Sequence, residues 1–275
     1  MKYEIKTYPD NTQYVKVNEF TDELEFRINS YLDLWTLRQI KDVCDNNRQE
    51  VNLRITCLLD AQADRRFNPD ESSGLKLVCE FINSMKFKSV SVFHPHNSEV
   101  VEALINNVTI IDNTNFIRNC LQSLINMGDS YLEENLILLS SDAGGFKPLM
   151  KLADKLQWKG EVYGASKSRK YEDNKSKLVQ EIDRQDFGGK DILIVDDICV
   201  YGGTFIGLAK MLKERNCGKL YLAISHLTVD RPKKELFDLF NEVFTTTSKN
   251  IEYTVESTGH DKIFGIVPTN LTIIE

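Results

Sequence analysis

Along this chain, short apolar runs are each followed by a polar stretch and then by apolar residues at helical spacing. Ile192 to Val195 have the length and β-branched content of a buried strand. Phe205, Leu208, Ala209 and Leu212 then fall at i, i+3, i+4 and i+7, one face of a helix. Leu136 to Leu139 repeat the unit: the polar loop Ser140 to Gly145 (S-S-D-A-G-G) follows, and Leu149, Leu152, Ala153 and Leu156 mark the next helix. Earlier, Leu53 to Leu59 read as a strand, Asp60 to Ser73 as a long polar loop, and Leu75, Val78, Cys79 and Ile82 as a helix face. Ser89 to Phe93 form a further strand that ends in His94-Pro95-His96-Asn97. Alternating strand and helix predicts an α/β fold of mostly parallel sheets flanked on both faces by helices, with ligands at the carboxyl ends of the strands. Two sets of loops predict two related domains, residues 1–112 and 113–275. No Pro-, Gly- or Ser-rich linker separates them.

Composition narrows the function. With 41% hydrophobic and 27% charged residues, the 275-residue chain can bury a core and stay in water. A net charge of -7 argues against a nucleic-acid or membrane-surface role, which calls for clustered Lys and Arg. No apolar run has the length of a membrane span, and Met1 to Thr12 lacks the apolar centre of a signal peptide, so a cytoplasmic location is expected. The six cysteines have no paired spacing and read as reduced core residues rather than a disulfide or zinc framework. His94, His226 and His260 read as structural histidines.

The densest chemistry lies in Asp191 to Phe205, D-I-L-I-V-D-D-I-C-V-Y-G-G-T-F. Asp196 and Asp197 end the apolar run, where ionised carboxylates can accept hydrogen bonds from two sugar hydroxyls or hold a magnesium ion. Gly202 and Gly203 permit φ > 0 and close approach, so N–H groups at the start of the following helix, with Thr204, can face a phosphate. Taken alone, an acidic strand end and a Gly-Gly turn are ordinary punctuation. Their combination points to a sugar phosphate.

This segment resembles the phosphoribosyl pyrophosphate motif of the type I phosphoribosyltransferase fold. In sequence order, several further loops are similar to the ribose-phosphate pyrophosphokinase family. Tyr8-Pro9-Asp10 resembles its adenine-contacting segment. Asp60 to Arg66, with Gln62, Asp64 and Arg65, resembles its nucleotide loop. His96 and Asp142 stand at its metal-binding positions, and Lys167-Ser168-Arg169 keeps the Lys-x-Arg of its mobile catalytic loop. The resemblance implies two phosphoribosyltransferase-like domains, ATP and a ribose-phosphate acceptor as partners, Mg2+ as cofactor, and a homo-oligomer. It also implies transfer of the β,γ-diphosphoryl group of ATP to the anomeric hydroxyl of ribose 5-phosphate. Lys167 and Arg169 would be catalytic, Asp196 and Asp197 would hold the ribose diol, and Gly202, Gly203 and Thr204 the phosphate. From residue types alone, the run Ser166 to Lys177 is a solvated loop.

Three departures from the family pattern bear on specificity. Thr12 replaces a glutamate, Gln62-Ala63 replace an Arg-Gln pair, and Val200-Tyr201 replace Asp-Thr. Valine cannot donate to a monoester phosphate. Tyr201 could instead offer a surface to a larger acceptor such as ADP-ribose, which would place the reaction in NAD synthesis. Two other readings stay open at this point: a phosphoribosyltransferase, and a catalytically silent synthetase-like regulatory subunit.

Overall fold

A computed structural model describes residues 1–128, 132–172, 175–228, 234–249 and 271–274; side chains are described for these except at residues 132, 167–172, 175–179 and 271–274. His260 lies outside the described residues. The chain divides into two compact units, Met1–Asp112 and Asn113–Glu275.

In the first unit, β1 (Lys2–Thr7) and β2 (Gln13–Glu19) form an antiparallel hairpin. There follow β3 (Glu23–Arg27), α1 (Tyr31–Asn46), β4 (Asn52–Cys57), α2 (Gly74–Ser84), β5 (Ser89–Phe93), α3 (Ser98–Leu104) and β6 (Val108–Ile111). The four later strands make a parallel sheet in the order β3-β4-β5-β6. Each crossover advances the same way, and right-handed crossovers that all advance one way place their helices on one face. The burial agrees: Leu24 and Phe26, Leu53 and Ile55, Val90 and Val92 alternate into one core with Leu37 and Ile40 of α1, Val78 and Ile82 of α2, and Val101 of α3. The opposite face is polar, with Glu25 beside Arg54 at 3.7 Å and Ser89 donating to Asn52 at 2.7 Å. Helices on both faces were expected here; the strand order explains why this sheet has them on one.

The second unit contains α4 (Thr114–Asn126), α5 (Leu132–Asn135), β7 (Leu136–Ser140), α6 (Ala143–Leu156), β8 (Val162–Gly164), β9 (Ser166–Glu172), β10 (Lys175–Glu181), β11 (Asp191–Cys199), α7 (Gly203–Glu214), β12 (Leu220–Leu227), α8 (Lys234–Leu239), β13 (Glu242–Thr246) and β14 (Leu271–Ile274). Six strands form a parallel sheet, β14-β13-β12-β11-β7-β8. Its winding reverses. From β7 the chain moves outward to β8, then returns to β11 on the other side of β7 and continues to β14. The sheet therefore has a core on each face. Leu138, Leu193, Val195 and Ala223 pack with α4 and α6, whereas Ile137, Leu139, Ile192, Ile194 and Leu222 pack with α7 and α8. Every residue of β7, β12 and β13 is buried, as a doubly covered parallel sheet requires.

The expected helix faces are the buried ones. Leu75, Val78, Cys79 and Ile82 are buried in α2, and Phe205, Leu208, Ala209 and Leu212 in α7. All six cysteines are free, and burial pushes the Cys79 and Cys199 thiols up to about 12, where they stay protonated. Among the described residues, no helix is long and apolar enough to cross a membrane.

Candidate active site

The reversal of winding in the second unit leaves a crevice between the carboxyl ends of β7 and β11, the topological switch point at which open α/β sheets bind ligands. Pairing of β11 with β7 ends at Val195 and Ser140, while pairing with β12 runs on through Ile198 and Cys199. The strand expected to stop at Val195 is thus four residues longer, because β12 still satisfies its backbone. Asp196 and Asp197 stand on the part of the strand that β7 has left open.

Two loops flank them. After β7, the Asp142 carboxylate caps α6, its Oδ1 accepting from the Gly145 N–H at 3.0 Å, and the Ser140 hydroxyl donates to the Asp142 carbonyl at 2.9 Å. The Ser141 hydroxyl donates to Asp196 Oδ2, joining the two loops across the switch point. Ser141 was missing from the residues singled out by sequence. Its signal was modest: a hydroxyl at the end of a buried strand, one position before D-A-G-G.

After β11, Gly202 has φ +79, a conformation that disfavours any Cβ, and an added Cβ would lie 3.2 Å from Leu236 Cδ1. Gly202 is the N-cap of α7, and among the described residues no side chain caps that terminus. The contrast with α6 is chemical. Asp142 fills the start of α6 with a carboxylate, whereas the first-turn N–H groups of Gly203 and Thr204 are available to an external anion. Beside this loop Tyr201 is 64% exposed and Val200 37% exposed.

Burial, followed by the neighbouring Asp197 charge, raises the Asp196 carboxyl to about 7, although the Ser141 bond acts in the opposite direction. The Asp196 Oδ1 also accepts from the Asp197 N–H, and the Asp197 Oδ1 from the Ile198 N–H, each at 2.8 Å. Two carboxylates held this close favour a ligand that donates hydrogen bonds or carries positive charge.

Lys167 and Arg169 are on β9, whose backbone pairs with β10 in the register Lys167 with Gln180 and Arg169 with Leu178. Their side chains lie outside the described atoms. The solvated loop read from residue types is therefore a two-stranded hairpin, held by backbone pairing that leaves no apolar alternation in the sequence. Its base is tied to the site. Ala165 N–H donates to the Ser140 carbonyl at 3.0 Å, Gln180 Nε2 to the Thr204 carbonyl at 3.3 Å, and Arg215 to the Ile182 and Arg184 carbonyls at 2.6 and 2.9 Å.

The remaining site residues from the sequence belong to the first unit. Tyr8 and Asp10 lie in the turn between β1 and β2, with the Tyr8 ring tilted against that of Tyr14, their centroids 4.7 Å apart. Asp10 accepts from the Thr12 hydroxyl at 2.7 Å and the Thr12 N–H at 3.0 Å, and these bonds hold its carboxyl below the usual range. Thr12 thus closes the turn where the family pattern has a glutamate. Gln62, Asp64 and Arg65 lie in the loop after β4, and His96 is exposed in the loop after β5. Asn97 donates to Asp64 at 2.8 Å and links the two loops. Arg65 extends over Phe67 at 5.5 Å. Asp142 and His96 stand on different units. Among the described residues no group of three His, Cys, Asp or Glu side chains forms a cation site.

Comparison with known proteins agrees with this architecture. The sequence pattern of the phosphoribosyl transferase domain family matches residues 107–262. The ribose-phosphate pyrophosphokinase of Sulfurisphaera tokodaii is 21% identical over 259 residues, covering 90% of this chain and 84% of the relative. That of Chlorobaculum tepidum is 25% identical over 246 residues, covering 83% and 71%. The phosphoribosylpyrophosphate synthetase of Mycobacterium smegmatis superposes with a TM-score of 0.73 at 15% identity, covering 99% of this chain and 85% of that one. The chain belongs to the phosphoribosyl transferase domain family, and within it resembles the ribose-phosphate pyrophosphokinases along most of its length.

Proposed function

We propose that this protein is an ATP-dependent pyrophosphokinase that transfers the β,γ-diphosphoryl group of ATP to the anomeric hydroxyl of a 5-phosphorylated ribose. The observation that carries the reading is the pairing, at one switch point, of Asp196 and Asp197 with the uncapped amino end of α7. A ribose diol and a 5-phosphate match the chemistry of those two features. Relatives that align with both units favour the pyrophosphokinase over a phosphoribosyltransferase confined to the second.

In this reading the carboxylates of Asp196 and Asp197 accept from the 2- and 3-hydroxyls, and the N–H groups of Gly203 and Thr204 receive the 5-phosphate. The anomeric oxygen then attacks the β-phosphorus. One O–P bond forms there, the bond from the β-phosphorus to the α-phosphate oxygen breaks, AMP leaves, and the hydroxyl proton passes to solvent. Such transfer is mostly positioning and charge neutralisation. Lys167 and Arg169 supply positive charge to the leaving α-phosphate, while Tyr8, Asp10, Gln62, Asp64 and Arg65 contribute to the nucleotide side. Magnesium, with His96 and Asp142 as its protein ligands, would neutralise charge on the ATP phosphates. Incubation with ATP, magnesium and ribose 5-phosphate should yield AMP and the 1-diphosphate by mass spectrometry; stoichiometric ADP would refute the proposal.

A second reading concerns the acceptor. The exposure of Tyr201 beside the phosphate loop favours a longer molecule, because a large open ring can stack on a base. Val200 also removes a side-chain donor, and a charged hydrogen bond contributes about 1.5–3 kcal/mol. ADP-ribose has a free anomeric hydroxyl, a 2,3-diol and a 5-diphosphate, and its pyrophosphorylated product would be an activated donor for NAD synthesis. The ratio of kcat/KM for ADP-ribose and ribose 5-phosphate decides between them.

A further inference from the structure

The β9–β10 hairpin and α7 are joined at two places. Near the start of the helix, Gln180 Nε2 donates to the Thr204 carbonyl at 3.3 Å. At its end, the C-cap residue Arg215 donates to the Ile182 and Arg184 carbonyls just beyond β10. The chain leaving the hairpin is thus fastened along the helix whose amino end faces the crevice. Gln180 occupies a specific point in this arrangement. Its backbone is the register partner of Lys167, and its carboxamide meets the carbonyl of a phosphate-loop residue. The space over α7 that it enters is open because residue 207 is glycine, where a Cβ would come within 2.8 Å of Gln180 Oε1.

We propose that Gln180 is a positioning residue that fixes the hairpin strand carrying Lys167 and Arg169 against the phosphate loop. Gly207 is the small residue that makes room for it. This inference deepens the pyrophosphokinase reading and rests on it for its kinetic arm. Gln180 touches no reacting atom in this account. It transmits the position of Thr204 to the register of Lys167, and such positioning affects rate more than ground-state binding.

Two variants test the contact from opposite sides. Gln180→Ala removes the donor. Gly207→Ala keeps a good helix residue but displaces the carboxamide, so a lower rate without a loss of helix stability separates positioning from folding. Both should lower kcat by about tenfold while the acceptor KM changes by less than about threefold and Tm by only a few degrees. If Gln180 acts through Lys167, a Lys167→Ala, Gln180→Ala double variant should be about as slow as Lys167→Ala alone, because residues acting as a unit are non-additive. Unchanged kcat in both single variants, or fold-losses that multiply in the double variant, would overturn the proposal. Amide exchange across residues 166–172 should quicken in Gln180→Ala, and unchanged exchange there would overturn the coupling even in an enzyme of different chemistry. Failure of the wild type to release AMP would strike the pyrophosphokinase reading alone, since the exchange measurement needs no turnover.

Discussion

The two parallel sheets differ in how they are wound. The first advances steadily from β3 to β6, covers one face with three helices and leaves a polar face. The second reverses at β7 and β11 and has an apolar core on each face. A steadily wound sheet brings neighbouring loops to one edge without parting them. A reversed one sends successive crossovers to opposite faces and opens a crevice between two adjacent strands. The acidic pair, the Asp142 loop and the uncapped helix all border that opening. The first unit gathers polar loops at its own carboxyl edge, but Asp64 accepts from Asn97 and Asp60 accepts from Tyr31. Asp60 and Asp64 are thus engaged by neighbours within their own unit, whereas Asp196 and Asp197 stand where winding leaves room for a ligand.

Loss of a carboxylate at the crevice should therefore have the largest effect. Asp196→Asn and Asp197→Asn should each lower acceptor kcat/KM by about 10²-fold, the upper end of what a lost charged hydrogen bond to a diol costs. Glu25→Gln on the polar face of the first sheet should leave kcat/KM within about twofold, as expected of an exposed group whose partners are surface arginines. Equal losses in steady-state assays would erase the functional distinction between the sheets.

The same carboxylate gives the comparison a pH signature. Because Asp196 is raised to about 7, acceptor capture by its ionised form should rise about tenfold per pH unit up to that value and then level. In Asp196→Asn that inflection should disappear. Stability runs the other way. A folded-state value above the ordinary 3.8 means that the native protein holds the proton more tightly, so this group's contribution is full below about 4 and is lost as pH rises through about 7. In magnesium-free buffer at pH 8, Asp196→Asn should melt a few degrees above wild type. A lower melting temperature would show that the charged form is stabilised rather than strained in the fold.

A smaller effect is expected at the turn into α7. Gly202→Ala forces a Cβ into a left-handed conformation and toward Leu236, at a cost of about 1–3 kcal/mol. Denaturant unfolding should show that loss, and KM for a phosphorylated acceptor should rise several-fold. Gly203→Ala has open space for its Cβ and should be milder in both measurements.

Much of this arrangement was legible before the structure. Ile192 to Val195 and Leu136 to Leu139 read as strands because both sheet faces are covered, leaving unbroken apolar runs. Leu75, Val78, Cys79 and Ile82 read as a helix because one side meets a core. Other features are non-local. The reversal of winding depends on the chain returning from β8 past β7, so that β11 pairs with the other edge of β7, which no window of sequence contains. The Ser141 bond to Asp196 joins residues that become neighbours only through that pairing. Gln180 was hidden for a different reason: a polar hairpin paired through its backbone looks like a solvated loop.

The smallest predicted effect tests the polar face of the first sheet. Glu25 and Arg54 are 3.7 Å apart and about half exposed, and pairs of that kind contribute about 0–1 kcal/mol. Arg54→Glu should therefore change stability by no more than about 1 kcal/mol, even after reversing the charge opposite Glu25. Leu53→Ala, one position earlier but inside the core, should cost about 2–5 kcal/mol. A parallel sheet open on one face is nevertheless uncommon, since helices ordinarily cover both. Sedimentation of Arg54→Glu separates two origins for any larger loss. A loss confined to the monomer would place the charge pair among the determinants of the fold, whereas a fall in assembly mass would show that this face is covered by another copy of the chain in solution. Unchanged mass with a small stability change leaves the contrast as the winding predicts: one sheet closed on both faces around its crevice, the other closed on one.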